Sequence, residues 1–289
     1  MATKRTFEEN LVAAKVRRGT AKAELKAPVA KQLSLELWPE AVRGIPNAVL
    51  RGALFGVSKI RKTYSKRTVI AAVEGYEIRY LGTSLNQTDL DVWETLLHLA
   101  RLQPLGTKVE FSAHALLQKL GRLTGKTQHE QLKEEMMRLA SGGVEITWVK
   151  EKKTFAGTLI GSFFRDEETG RYVVKFNQDM AQLYGVGHTL IDWSERQSLG
   201  QNNLAKWLHG FYASHAQPFS YKVETLRGLC GSVAILRGFR RDLKGALAEL
   251  VTIGSVKSWE IGEDDLVKIV NAPSNSQRRH LNNAKKRGI

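Results

Sequence analysis

From Arg67 onward the chain sets out the same order of elements twice, and that order restricts its fold more than any single motif. In the first pass, strand-like stretches at 68–73 and 76–81 meet at Gly75. A helix capped by Asn86 or Thr88 runs to about residue 102, with Val92, Leu96 and Leu99 on one face and Pro104 past its end. Val109 and Phe111 alternate with polar residues as a short strand, and Ser112 caps a second helix carrying Leu116, Leu117 and Leu120, which Gly121 stops. A third helix over 127–139 turns Leu132, Met136 and Leu139 inward and ends at Gly142 and Gly143. Val144, Ile146 and Trp148 alternate as a strand, followed by strand-like runs at 155–164 and 171–176 with a turn at 166–170.

The second pass has a helix over 203–214 with Leu204, Leu208 and Phe211 on one face, a helix over 220–229 stopped by Gly231, and a third over 235–250. A hairpin closes it, 256–261 and 266–270 about a turn at 262–265. Helix, helix, helix, hairpin is the order of a winged-helix unit, whose third helix enters the major groove while the hairpin lies along the backbone or adjacent groove. The pattern predicts an α+β chain of two tandem winged-helix domains, at 66–181 and 182–270, with flexible basic N- and C-terminal tails at 1–31 and 271–289. Residues 32–65 are expected to form a connector, with the globular part beginning near residue 66.

Charge agrees with a polyanionic partner. Lys and Arg outnumber Asp and Glu by 44 to 29 for a net +15, and each tail carries +5 of it, from eight bases against three acids in 1–31 and five against none in 271–289. Sequence-specific contacts must therefore come from local clustering in a moderately charged core. The third helix of the second unit shows such a cluster: Phe239, Leu243, Leu247 and Leu250 fall on one face, Arg237, Arg241 and Lys244 on the opposite one, and Arg240 beside them. The third helix of the first unit carries Lys126, Lys133 and Arg138, cancelled by Glu130, Glu134 and Glu135, which predicts weaker backbone contacts. Lys150, Lys152 and Lys153 follow its first hairpin strand and are placed to touch phosphates, whereas Glu263, Asp264 and Asp265 at the last hairpin would repel them. Trp148, Phe163, Phe164, Tyr172 and Phe176 could stack single-stranded bases, but their strand spacing favours hydrophobic core.

Catalytic readings fail on spacing. The stretch from Gly121 to Thr127 has three residues before Gly-Lys-Thr where a phosphate-binding loop needs four, and it follows a helix instead of a strand. The seven histidines include no pair separated by one residue and no His-Glu-x-x-His spacing. No cofactor, metal or enzymatic activity is expected. The single cysteine, Cys230, excludes an intramolecular disulfide and reads as a buried thiol. No apolar run approaches the roughly 20 residues needed to span a bilayer, and the charged amino terminus lacks a secretory apolar core, so a cytoplasmic protein is expected.

Several blocks, in order, resemble the TrfA replication initiators of broad-host-range plasmids. They are Gln32-Leu33-Ser34-Leu35 followed by Trp38-Pro39, then Pro46-Asn47 and Ala53-Leu54-Phe55, then Ser214-His215 through Pro218, Lys222, Glu224-Thr225, Arg227 and Leu229-Cys230-Gly231-Ser232. The resemblance implies an initiator that binds repeated double-stranded sites, iterons, at a plasmid origin, opens an adjacent AT-rich region whose single strands are a further ligand, and recruits host replication proteins. Among these are the host initiator and the replicative helicase. It also implies a homodimer in exchange with the monomer that binds the origin. The block at Gln32 is similar to the peptide by which bacterial proteins dock on the sliding clamp: Gln32, Leu33, Ser34, Leu35 and Leu37 match its six-residue form, while Glu36 departs from the five-residue form, which closes on Phe. An unstructured tail would let such a peptide reach its partner. A winged-helix transcriptional repressor is the alternative reading of the same fold.

Overall fold

The computed structural model describes residues 38–102 and 108–272. These begin with β1 (Val42–Pro46), the single turn α1 (Asn47–Leu50), β2 (Phe55–Gly56), β3 (Thr63–Ile70), β4 (Tyr76–Thr83), β5 (Leu85–Asn86) and α2 (Gln87–Ala100). Next come β6 (Lys108–Ser112), α3 (Ala113–Lys119), α4 (Lys126–Ser141), β7 (Gly143–Trp148), β8 (Lys153–Gly157), β9 (Ser162–Arg165) and β10 (Arg171–Lys175). The remainder comprises α5 (Ala181–Gly185), β11 (His188–Asp192), α6 (Trp193–Ser198), α7 (Asn203–Ala213), β12 (Tyr221–Lys222), α8 (Val223–Leu229), α9 (Leu236–Thr252), β13 (Val256–Ile261) and β14 (Leu266–Asn271). Mixed helix and small antiparallel sheets make this an α+β fold, with sheets ordered β3-β4-β7-β8, β6-β10-β9 and β12-β14-β13.

Two apolar clusters correspond to the two passes of the sequence. The first gathers side chains from Trp38 to Trp193, the second from Leu199 to Val267. The expected connector is therefore partly core. Trp38, Ile45, Val49, Leu50, Leu54 and Phe55 are buried in the first cluster, and β1 pairs antiparallel with β11, Val42 opposite Asp192. That pairing also carries β11 into the first half, beyond the expected boundary at 181. Trp38 stacks on Tyr184 with ring centroids 6.0 Å apart, and the Tyr184 hydroxyl donates to the Gly44 carbonyl at 3.1 Å. Gly44 is required by that approach, since a Cβ there would stand 2.8 Å from the Trp38 ring.

The first half is assembled on α2. Asn86 starts it with a capping box: its side chain accepts from the Thr88 and Asp89 amides, while Asp89 accepts from the Asn86 amide at 2.8 Å. Leu90, Val92, Trp93, Leu96 and Leu97 bury its apolar surface, yet Asp89, Asp91, Glu94 and His98 are buried too and must find partners inside. Asp89 takes Arg61 at 2.6 Å and Arg138 at 2.9 Å. Asp91 takes Lys206 at 2.6 Å and Arg196 at 2.8 Å, so α2 is pinned to both α6 and α7. Although burial alone would raise the Asp91 pKa, these two cations hold it below the usual value.

Glu94 is less well served. Arg196 lies 3.5 Å away, but neither carboxylate oxygen has a hydrogen bond, and burial pushes its pKa up to about 7. His98 Nδ1 accepts from Trp38 Nε1 and from Arg43, each at 3.0 Å, so the ring proton sits on Nε2, which donates to Glu40 at 2.8 Å. Burial pushes the His98 pKa down to about 4 and keeps this ring neutral. The residues around Trp38 are thus fastened to α2 by polar as well as apolar contacts.

Candidate nucleic-acid interface

The two passes share one turn. Gly121 after α3 and Gly231 after α8 lie 110 positions apart and have φ of 67° and 66°, a left-handed conformation that suits glycine. Around them the same backbone bonds recur: Gly121 N to Gln118 O and Arg122 N to Leu117 O, matched by Gly231 N to Gly228 O and Ser232 N to Arg227 O. The same positive φ and the same pair of bonds thus end α3 and α8, ahead of α4 and α9.

On α9 the two expected stripes separate. Phe239, Leu243, Ala246, Leu247 and Leu250 are buried in the second cluster, whereas Arg237, Arg241 and Lys244 are exposed. Among the described residues Arg237 and Lys244 have no ion-pair partner, and Arg241, 82% exposed, meets only its neighbour Asp242 at 2.9 Å. Arg240 differs from its neighbours. It is half-buried and ion-paired with Asp265, which stands at φ 62° at the end of the β13–β14 turn. Asp264 accepts from the Leu266 amide at 3.1 Å in the same turn. The acidic tip therefore has a structural role that its sequence does not announce: Asp264 shapes the turn, and Asp265 braces the hairpin against the helix. The only sequence signal was a run of acids, and its direction depends on the positive φ at Asp265.

The first-half candidates divide. Lys126 and Lys133 of α4 are exposed, as are Lys150, Lys152 and Lys153 at the β7–β8 turn, where Lys152 takes φ 52°. Arg138 is turned inward: its guanidinium holds buried Asp89 at 2.9 Å and reaches Glu134 at 3.7 Å, so its charge is engaged inside the fold and does not add to the outer face of α4. Trp148, Tyr172 and Phe176 are buried and Phe163 half-buried, as strand spacing favoured, while Phe164 is 65% exposed. Cys230 is a buried free thiol.

A cleft of about 870 Å³ lies between the α3–α4 region and the α6–α7 region, lined in part by Arg61, Arg122, Arg138, Arg196 and Lys206. Each of these five cations is already ion-paired, to Asp89, Glu135 or Asp91, whereas Lys59, which also lines the cleft, is exposed and has no ion-pair partner among the described residues. Among the described residues no group of His, Cys, Asp and Glu is arranged to hold a metal ion, and no helix is long and apolar enough to cross a membrane. The clamp-like residues Gln32, Leu33, Ser34, Leu35 and Leu37 lie outside the described residues, as do 1–31 and 273–289.

The fold has counterparts among solved structures. Two crystal structures of domains 2 and 3 of RctB share it: one at 13% identity with a TM-score of 0.53, covering 78% of this chain and 98% of that one, the other at 12% and 0.53, covering 81% and 99%. Sequence comparison then fixes the family. The TrfA protein family model matches residues 4–271, and the chain belongs to that family. The plasmid replication initiator protein TrfA of Escherichia coli is 27% identical over 252 residues, which cover 82% of this chain and 65% of the relative's length.

Proposed function

We propose that this chain is a non-catalytic plasmid replication initiator that binds iteron repeats in duplex origin DNA through two winged-helix units, with α9 as the principal sequence reader. The single observation that carries the reading is α9 itself. One face is buried in the second core and the opposite one presents Arg237, Arg241 and Lys244 after a helix–turn–helix. Exposed guanidinium groups suit guanine O6 and N7 in the major groove, and any that fall on phosphate add affinity without specificity. Lys126 and Lys133 on α4 and the lysines of the β7–β8 turn supply a second, mainly phosphate-binding surface. Family membership supports the initiating role: opening of an AT-rich segment with contacts to its single strands, recruitment of the host initiator, the replicative helicase and the sliding clamp, and exchange between dimer and monomer.

The test is plasmid persistence. A plasmid carrying the cognate origin should be maintained only in cells supplied with this protein, and supply of an Arg237→Ala, Arg241→Ala variant should fail to maintain it. Maintenance without the protein would refute initiation, and loss of promoter silencing as the sole consequence would favour a repressor.

A further inference from the structure

The turn that leads into α9 shows large apolar side chains to solvent. Val233 is 74% exposed and Ile235 76%, and Leu123 at the matching turn before α4 is 82% exposed. Folding has not required this. The backbone between Val233 and Ile235 is held from both sides, because the Ser232 hydroxyl accepts from the Ala234 amide at 3.3 Å and Arg227 donates to the Ala234 carbonyl at 3.1 Å. The two flanking side chains are therefore displayed by a braced turn.

Ile235 also occupies the N-cap position of α9, with the extended φ and ψ of −62° and 150° that suit a capping residue, yet it offers no side-chain hydrogen bond. Ser, Thr, Asp or Asn there would satisfy a free amide and stabilise the helix. A residue that forgoes local stability at an exposed position points to a requirement outside the chain. The surrounding charge states which requirement. Arg237 is exposed two residues further on, with Arg241 and Lys244 along the same helix, so the surface that meets this apolar pair must be anionic with apolar points in it. Gly238 and Gly245 keep that end and side of the helix low, although a Cβ would meet nothing nearer than 3.6 Å at Gly238 and nothing within 4 Å at Gly245. The major groove of duplex DNA has this chemistry: phosphates along its rims and the 5-methyl groups of thymine on its floor.

We propose that Val233 and Ile235 form an apolar reading tip for thymine 5-methyl groups at the start of α9, just ahead of Arg237 in the chain. This rests on the reading of α9 as a duplex-DNA helix and adds to it residues that set specificity without charge.

The experiment uses the full chain and a duplex that it selects from a random-sequence library, with each thymine replaced in turn by uracil to remove only the methyl group. At one or more positions the native chain should bind the uracil duplex about fourfold more weakly, the effect of one buried methyl-sized group. Val233→Ala with Ile235→Ala should bind thymine and uracil duplexes alike. Ile235→Ser should raise Tm by capping the helix while losing the thymine preference. The proposal is overturned if every uracil duplex binds like its parent, if the selected duplex has no thymine, if the double variant keeps the discrimination, or if Ile235→Ser lowers Tm. Unchanged DNA binding by the double variant would reassign the tip to a protein contact and overturn it too. Selection of no duplex at all would remove the DNA reading itself.

Discussion

Glu94 is buried in the first half beside Arg196 with no hydrogen bond to either oxygen, and its pKa is pushed up to about 7 by burial. Asp91, Arg43 and Lys206 also act on it, the first raising its pKa and the cations lowering it. The sign of its effect on stability follows from linkage. Below its ordinary value of 4.5 the carboxyl is neutral whether folded or not. Between there and about 7 the unfolded chain releases the proton while the folded chain retains it, so the folded state loses ground as pH rises. Glu94→Gln removes the titration, and its Tm relative to the native chain should become more favourable from pH 5 to pH 8. A difference that stays flat, or moves against the variant over that range, would show that its pairing with Arg196 outweighs its burial. His98 works in the opposite direction, since a neutral ring with its pKa pushed down to about 4 favours the folded state above the ordinary value of 6.5 and loses that contribution as pH falls. None of this was visible in sequence, where these residues read as ordinary positions on a helix, because the groups that surround them arrive from far along the chain.

At the scale of elements, the helices with strong periodicity were legible. Asn86 and Ser112 cap where expected, Leu132, Met136 and Leu139 face inward, and the β13–β14 hairpin falls within a residue of its expected limits. Short elements with distant partners were not. β1 pairs with β11 across most of the first half, and no local pattern announces a five-residue strand whose partner lies so far away. The basic residues separate along similar lines. Spacing placed Arg237 and Arg241 correctly on an outer face but could not see that Asp89, outside the third helix, turns Arg138 inward. Arg138→Ala should lower unfolding stability by about 1–3 kcal/mol by removing a charge-assisted bond to a buried carboxylate. Arg237→Ala, at an exposed position, should change it by less than about 0.5 kcal/mol. Urea melts that found the two equal would put Arg138 back on the surface.

For the whole molecule, a net charge of +15 says only that a polyanion is favoured. The repeated turn before α4 and α9 and the exposed basic face of α9 are the features on which the proposed reading of duplex DNA rests, and the chain belongs to the TrfA family. The proposed docking of residues 32–37 on the sliding clamp would extend the account to a partner protein. Pulldown of the sliding clamp by the full chain should be lost on Leu35→Ala with Leu37→Ala, and undiminished capture would end that assignment. The central claim remains that α9 reads sequence. Its most direct test is an equilibrium titration of an iteron duplex and a scrambled duplex with the native chain and Arg241→Ala. The account predicts that the variant loses about 1–3 kcal/mol on the iteron and much less on the scrambled duplex, whereas equal losses on both would reduce Arg241 to a phosphate contact and contradict the claim.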